Sequence, residues 1–157
     1  MQPTAAPIPE GYESLLPYLV IRDAARAIEF YKQLLDATEL MRVHYADGTT
    51  VMHAELKIRN SVLMVGDEAP HFGIVSPQTL GGSPVSVMYY VENVDEVYAR
   101  AVKLGSKSLM PPSDMFWGDR LCKFADPFGH LWMIATQKED LPVEEVARRT
   151  SAMLGRK

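Results

Sequence analysis

One cysteine, Cys122, is present in 157 residues. An intrachain disulfide is therefore excluded, and a reducing cytoplasm suits the chain. There is no basic block, and the net charge is −4 at pH 7, which argues against nucleic acid and anionic membrane as partners. No apolar run approaches the roughly 18 residues of a spanning helix. The N-terminus also lacks a basic-then-apolar signal pattern. These absences describe a soluble intracellular protein. What is present is a 47% hydrophobic composition, enough for one domain with a real core.

The chain repeats itself at a shift of about seventy residues. A short apolar strand starting near Leu16 runs to Asp23, after which Ala27, Ile28, Tyr31, Leu34 and Leu35 recur at helical spacing. A second starts near Val85 and runs to Asn93, followed by Val97, Tyr98, Ala101, Val102 and Leu104. The shift lays Asp23 on Asn93, two side chains suited to cap a helix. Strand-like segments follow each helix, at 39–46, 50–58 and 61–66 and again at 107–110, 120–125 and 131–136. Asp47-Gly48 supplies a hairpin turn in the first half, and Asp126 to Gly129 one in the second. The period predicts an α+β fold of two βαβββ modules, 14–68 and 85–137, within a single domain at 12–137. The Gly/Pro/Ser-rich segment 69–84 links them, residues 1–11 form an extended arm, and 138–157 a helical tail.

The most informative stretch is Phe116-Trp117-Gly118-Asp119-Arg120, followed by Asp126-Pro127-Phe128-Gly129-His130-Leu131-Trp132. Asp opens a turn, Pro presets φ, and Gly takes the left-handed position. With the repeat, this cassette resembles the last hairpin of the vicinal-oxygen-chelate superfamily, which includes glyoxalase I, bleomycin-resistance proteins and extradiol dioxygenases. Within it the chain is most similar to the PhnB-like branch. The resemblance runs from about Leu16 to Thr136. It implies a cupped, eight-stranded mixed sheet with helices outside, a pocket inside, and a homodimer.

Strand alternation assigns faces. Leu19, Ile21, Val87, Tyr89, Val91, Trp132 and Ile134 are expected toward the helices. Leu16, Tyr18, Met64, Ser86, Met88, Tyr90, Leu131 and Met133 are expected on the opposite face. In the hairpin 39–58 the apolar set Met41, Val43, Tyr45, Met52, Ala54 and Leu56 belongs against the helix, so Arg42, His44, His53 and Glu55 project the other way.

Metal-dependent relatives place ligands on the first and last strand of each module. The resemblance carries those positions onto Leu16, Met64, Ser86 and Met133. An aliphatic chain, two thioethers and a hydroxyl offer no competent set for a hard or borderline divalent cation, so neither metal nor other cofactor is expected. His53 and Glu55 share a strand face and suit either metal ligation or acid–base pairing. A solvated hairpin with an Arg42–Glu55 ion pair is the plainer account. His71 and His130 read as surface residues, and Cys122 as a buried, inert thiol. Trp117 and Arg120 suit stacking and anion clamping, or a plug beside a local Asp119–Arg120 pair. The methionines would form a soft apolar lining.

In the tail, Asp140-Leu141-Pro142 starts a helix with Glu144 and Glu145 early, Arg148 and Arg149 late, and Gly155 at its close. Its stripe of Val143, Val146, Ala147 and Met153 must pack on its own sheet or on a second subunit. The resulting expectation is a metal-independent member that binds a small hydrophobic or aromatic molecule through Leu16, Tyr18, Met64, Ser86, Met88, Tyr90, Trp117, Arg120 and Met133. The alternative is a lyase or isomerase using His53, Glu55 and Arg120, with or without a divalent metal. An interaction protein working through its last helix would be a third class.

Overall fold

The computed structural model describes residues 6–12 and 15–155. The chain forms two compact units, residues 1–82 and 83–157. In the first, β1 (Tyr18–Ile21) leads into α1 (Ala24–Leu35), then β2 (Thr38–His44), β3 (Val51–Ile58) and β4 (Ser61–Asp67), with the one-turn α2 (Pro77–Leu80) after them. In the second, β5 (Ser86–Tyr90) leads into α3 (Val94–Lys103), then β6 (Lys107–Asp114), β7 (Asp119–Ala125), β8 (Leu131–Gln137) and α4 (Val143–Leu154). The strand orders are β1-β4-β3-β2 and β5-β8-β7-β6. In each sheet the first pair is parallel and the others antiparallel. The two βαβββ modules are thus two four-stranded mixed sheets, each with its helix, plus a C-terminal helix. The first five residues of the arm lie outside the described residues; its end turns at Pro9, whose carbonyl accepts the Tyr12 amide at 3.3 Å.

Both modules start their helices by the same device. First-turn amides have no intrahelical acceptor, and the side chains of Asp23 and Asn93 take those of Arg26 and Glu96, each at 3.2 Å. A second acceptor comes from the end of the module's last strand. Asp67 Oδ1 takes the Ala24 amide at 2.7 Å, and Thr136 Oγ1 takes that of Val94 at 2.9 Å. The repeat therefore extends to individual hydrogen bonds.

Helical spacing puts Ala27, Ile28, Tyr31, Leu34 and Leu35 on one buried stripe of α1. On the strands of that unit Leu19, Ile21, Ala54, Leu56 and Val65 are buried. In the second unit Val97 and Ala101 of α3 are buried, as are Phe124, Trp132 and Ile134 of the sheet. Each such large side chain contributes about 1.5–3 kcal/mol of burial. Val102 stays exposed, so the α3 stripe is narrower than its spacing predicts.

Several expectations are revised. On β2 the faces are exchanged: Arg42 lies opposite Ala54, while Met41 and Val43 lie opposite Glu55 and His53. Arg42 reaches Glu39 at 2.8 Å and Glu29 of α1 at 3.6 Å, and no Arg42–Glu55 pair forms. The cause is a pair of register shifts, between Glu39 and Met41 and between Val43 and His44. One inserted residue sends every later side chain to the other face. Met52 falls at the second shift and is exposed rather than packed on α1.

β6 runs through Pro111 and Pro112, beyond the expected 107–110; it is an edge strand with its own register shifts, which accommodates residues lacking an N–H. The two predicted turns are not equivalent: Asp47-Gly48 joins β2 to β3, whereas Asp126 to Gly129 joins β7 to β8. The linker contains α2 and is tied back by Glu68, which accepts from Arg22, Thr79 and the Ser76 amide. His130 is buried, not superficial. In α4, Arg148 and Arg149 sit in mid-helix, held by Glu145 and Glu139, and the last turn has no basic residue.

Candidate functional site

The buried cassette at 126–132 holds the end of β8 in place. Asp126 Oδ1 accepts the Phe128 and His130 amides, both at 2.9 Å, and Oδ2 accepts the Trp132 indole N–H at 3.0 Å. Gly129 takes φ 90°, which a side chain would strain. With Trp132 fixed toward α3, Leu131 and Met133 must point to the opposite, open face.

On the open face of the first unit, one cross-strand row reads Tyr18, Met64, Glu55, Met41. His53 lies two residues from Glu55 on the same face. Its Nε2 is 3.1 Å from Glu55 Oε1 and its Nδ1 3.4 Å from the Tyr18 hydroxyl. The other Glu55 oxygen accepts the hydroxyl of Tyr12, which follows the arm. A carboxylate can only accept, so Nε2 carries a proton; the Tyr18 hydroxyl beside Nδ1 also lies 3.4 Å from the Met52 carbonyl oxygen, to which it donates. Glu55 is almost fully buried. The Tyr12 hydroxyl, then His53, holds its carboxyl below the ordinary carboxylate value; the same bond raises Tyr12, and burial raises Tyr18. Gly66 makes room for this group, because a Cβ there would stand 2.7 Å from the Tyr18 hydroxyl and 2.8 Å from the Met52 carbonyl oxygen.

The corresponding row of the second unit reads Met88, Met133, Lys123, Met110. Tyr90 and Ala135 lie in the next row, and Ser86 opposite Leu131 in the one before. The Tyr90 hydroxyl donates to Asp119 Oδ2 at 2.8 Å, and the Trp117 indole N–H donates to the same oxygen at 2.9 Å. The carboxylate raises the Tyr90 phenol. Trp117 is therefore tied beside the open-face residue Tyr90 through one buried acid.

Among the predicted site residues, the structure brings Tyr18, Met64, His53 and Glu55 onto one face, and Ser86, Met88, Tyr90, Met133 and Trp117 together in the other unit. Leu16 precedes β1, where the neighbouring Pro17 carbonyl accepts the Met64 amide at 3.0 Å. Arg120 joins neither group. It points to the helix side of β7, where Asp95 of α3 holds it through two 2.8 Å bonds and Asp114 through one of 2.9 Å. Cys122 is buried, and burial pushes its thiol up to about 11.

Sequence reading missed Tyr12, which follows the proline-rich arm, and the role of Asp119 as acceptor for Tyr90 and Trp117. It also missed Lys123 and Met110; alternation from Phe124 and Cys122 would have found Lys123. Among the described residues no cluster of three His, Cys, Asp or Glu side chains suits a metal. The Leu16, Met64, Ser86 and Met133 set does not fit a divalent cation on the chemistry of its donors. A cleft of about 390 Å³ within the second unit is lined by Asp114, Met115, Asp119, Arg120, Lys138 and Glu139; it does not include Met88 or Met133.

The profile of the Glyoxalase/Bleomycin resistance protein/Dioxygenase superfamily matches residues 14–134. An uncharacterized protein of Mycobacterium bovis is 37% identical over 142 residues, covering 88% of this chain and 93% of that protein. Among solved structures, TioX from Micromonospora sp. ML1 is similar at 25% identity and a TM-score of 0.62, over 80% of this chain and 98% of that one. The PhnB protein of Bacillus cereus shares the fold at 19% identity and a TM-score of 0.63, over 79% and 99%. So does the fosfomycin resistance protein FosX of Listeria monocytogenes, solved with Mn(II) and sulfate, at 17% and 0.61, over 88% and 96%. Among the described residues no helix is long and apolar enough to cross a membrane.

Proposed function

This chain belongs to the glyoxalase/bleomycin resistance protein/dioxygenase superfamily, and from that premise we propose that it binds a small hydrophobic or aromatic molecule without a metal. The observation that carries this reading is the open face of β5, β8 and β6. One side of that sheet is sealed by Phe124, Trp132 and Ile134, while Met88, Met110, Met133 and Tyr90 occupy the other, Met88 and Tyr90 being 42% and 49% exposed. Thioethers and a phenol tethered by Asp119 form an adaptable apolar surface. Metal independence follows from the donor chemistry of Leu16, Met64, Ser86 and Met133. The same reading includes a PhnB-like, cytoplasmic homodimer.

The test is a thermal-shift and calorimetric screen with planar aromatics in one arm and divalent cations in the other, on wild type and on Met133→Lys. Stabilisation by aromatics alone is the expected result. Met133→Lys should weaken that binding at least tenfold, because desolvation opposes an ammonium in an apolar lining. Ile134→Lys, on the sealed face, should unfold the protein instead. If Met133→Lys unfolds it as severely, Met133 is ordinary core and the surface is lost.

A second reading rests on the His53–Glu55 contact. A lyase or isomerase would use His53 Nδ1 as general base, with Glu55 orienting the ring. Arg120 is committed to Asp95 and Asp114, so it takes no part. Stabilisation by divalent cations that disappears in His53→Ala and Glu55→Gln would favour this enzyme reading over the binder.

A further inference from the structure

Lys123 occupies the middle of the second unit's open face. It lies opposite Met133 on one side and Met110 on the other. Its chain neighbours Cys122 and Phe124 are fully buried toward the helix, so its own side chain leaves on the methionine side. Lys123 is half-buried, and among the described residues no ion pair or hydrogen bond engages its ammonium. The guanidinium groups of Arg22, Arg42, Arg120 and Arg149 contrast with it, each having a carboxylate within 2.9 Å. Thioethers can pack against the lysine stem but cannot compensate the charge. Asp119 is the acid of β7 on this face, four residues or about 13 Å along the strand, and it is already occupied by Tyr90 and Trp117.

The repeat supplies an independent comparison. Glu55 stands opposite Met64 as Lys123 stands opposite Met133. The first module thus carries a carboxylate with its donors, Tyr12 and His53, built in. At the same place the second carries a cation without an acceptor. We infer that Lys123 anchors an anionic group, so the ligand is an amphipathic aromatic carboxylate or sulfonate. Its ring lies on Met88, Met133 and Tyr90, and its anion meets the ammonium. This rests on the binding reading above and narrows the ligand class.

The experiment is a fluorescence titration of the full chain with anilinonaphthalene sulfonate and with its uncharged parent, phenylnaphthylamine. Wild type, Lys123→Met, Lys123→Arg and the opposite-face control Lys103→Met are compared, with melting curves to show that each is folded. Wild type should prefer the sulfonate by about tenfold, the scale of one charge-assisted contact. Lys123→Met should abolish that preference while leaving the parent's affinity unchanged or tighter. Lys123→Arg should retain it, and Lys103→Met should match wild type. If both dyes bind wild type equally, or Lys123→Met keeps the preference, the ammonium is merely solvated and the inference falls while the binding reading stands. If neither dye binds, both fall together.

Discussion

The two modules share a scaffold and differ on their open faces. Asp67 and Thr136 close the ladder of their modules on the first helical amide, and Asp23 and Asn93 cap the same helices. Apart from Arg42 and Arg120, which pair with acids of the helices, the helix-facing rows are apolar in both. Across the sheet the likeness ends: the row of Tyr18, Met64, Glu55 and Met41 is joined by His53 and Tyr12, whereas the row of Met88, Met133, Lys123 and Met110 carries an ammonium with no partner among the described residues. Duplication constrains what the helix must cover, because a misplaced residue there loses burial and packing. The open face has no such obligation, so its chemistry is free to diverge. A polar, internally satisfied surface in one module and a soft, charge-bearing one in the other is the result.

The comparison breaks most readily at the second module's cassette. Trp132→Ala should cost roughly 3–5 kcal/mol in chemical denaturation, since the ring is buried and its N–H donates to Asp126 beside the Phe128 and His130 amides. The first module turns between β3 and β4 in two residues, Arg59 and Asn60, and has no counterpart to lose. A cost below about 1 kcal/mol would place Trp132 among surface residues and undo the face assignment of β8.

The next effect compares equivalent caps. Asp67→Ala strands the amides of both Ala24 and Val51 and should cost about 1–3 kcal/mol. Thr136→Ala strands one amide, that of Val94, and the Val91 carbonyl, and should cost about 1 kcal/mol, in the range of helix caps. Equal losses in paired melts would mean that Asp67 works only as a cap.

The smallest effect is electrostatic. Glu55 has a folded-state pKa below its ordinary value of 4.5, chiefly through Tyr12 and then through His53. A depressed carboxyl stabilises the fold above its unfolded value and loses that contribution as pH falls through the folded one. Tyr12→Phe should therefore move the Glu55 titration, followed by carboxyl NMR, up toward 4.5 and leave the acid limb of stability less steep. No movement would detach Tyr12 from the face.

The sequence carried the plan of the fold because that plan lies in periodicity. Apolar residues at helical spacing marked α1 and α3, alternation marked β1, β3, β5 and β8, and the shift of about seventy residues paired Asp23 with Asn93. Lateral partners were harder to read. Two register shifts in β2 exchanged the roles of Arg42 and Met41, and no local pattern announces a bulge. Asp95 is distant in sequence from Arg120, yet it removed that residue from the site.

Sequence alone thus determined the elements, the duplication, the caps at Asp23 and Asn93, and the burial of Trp132, all of which follow from spacing within a few turns of chain. Tertiary structure alone decided which charges are satisfied: Glu55 by Tyr12 and His53, Arg120 by Asp95 and Asp114, Asp119 by Tyr90 and Trp117, while Lys123 meets no acceptor among the described residues. The reason is range. Helical and strand periodicity are repeated locally and leave a mark in sequence, whereas a single hydrogen bond between distant residues exists only once strand register brings its two ends within 3 Å or so.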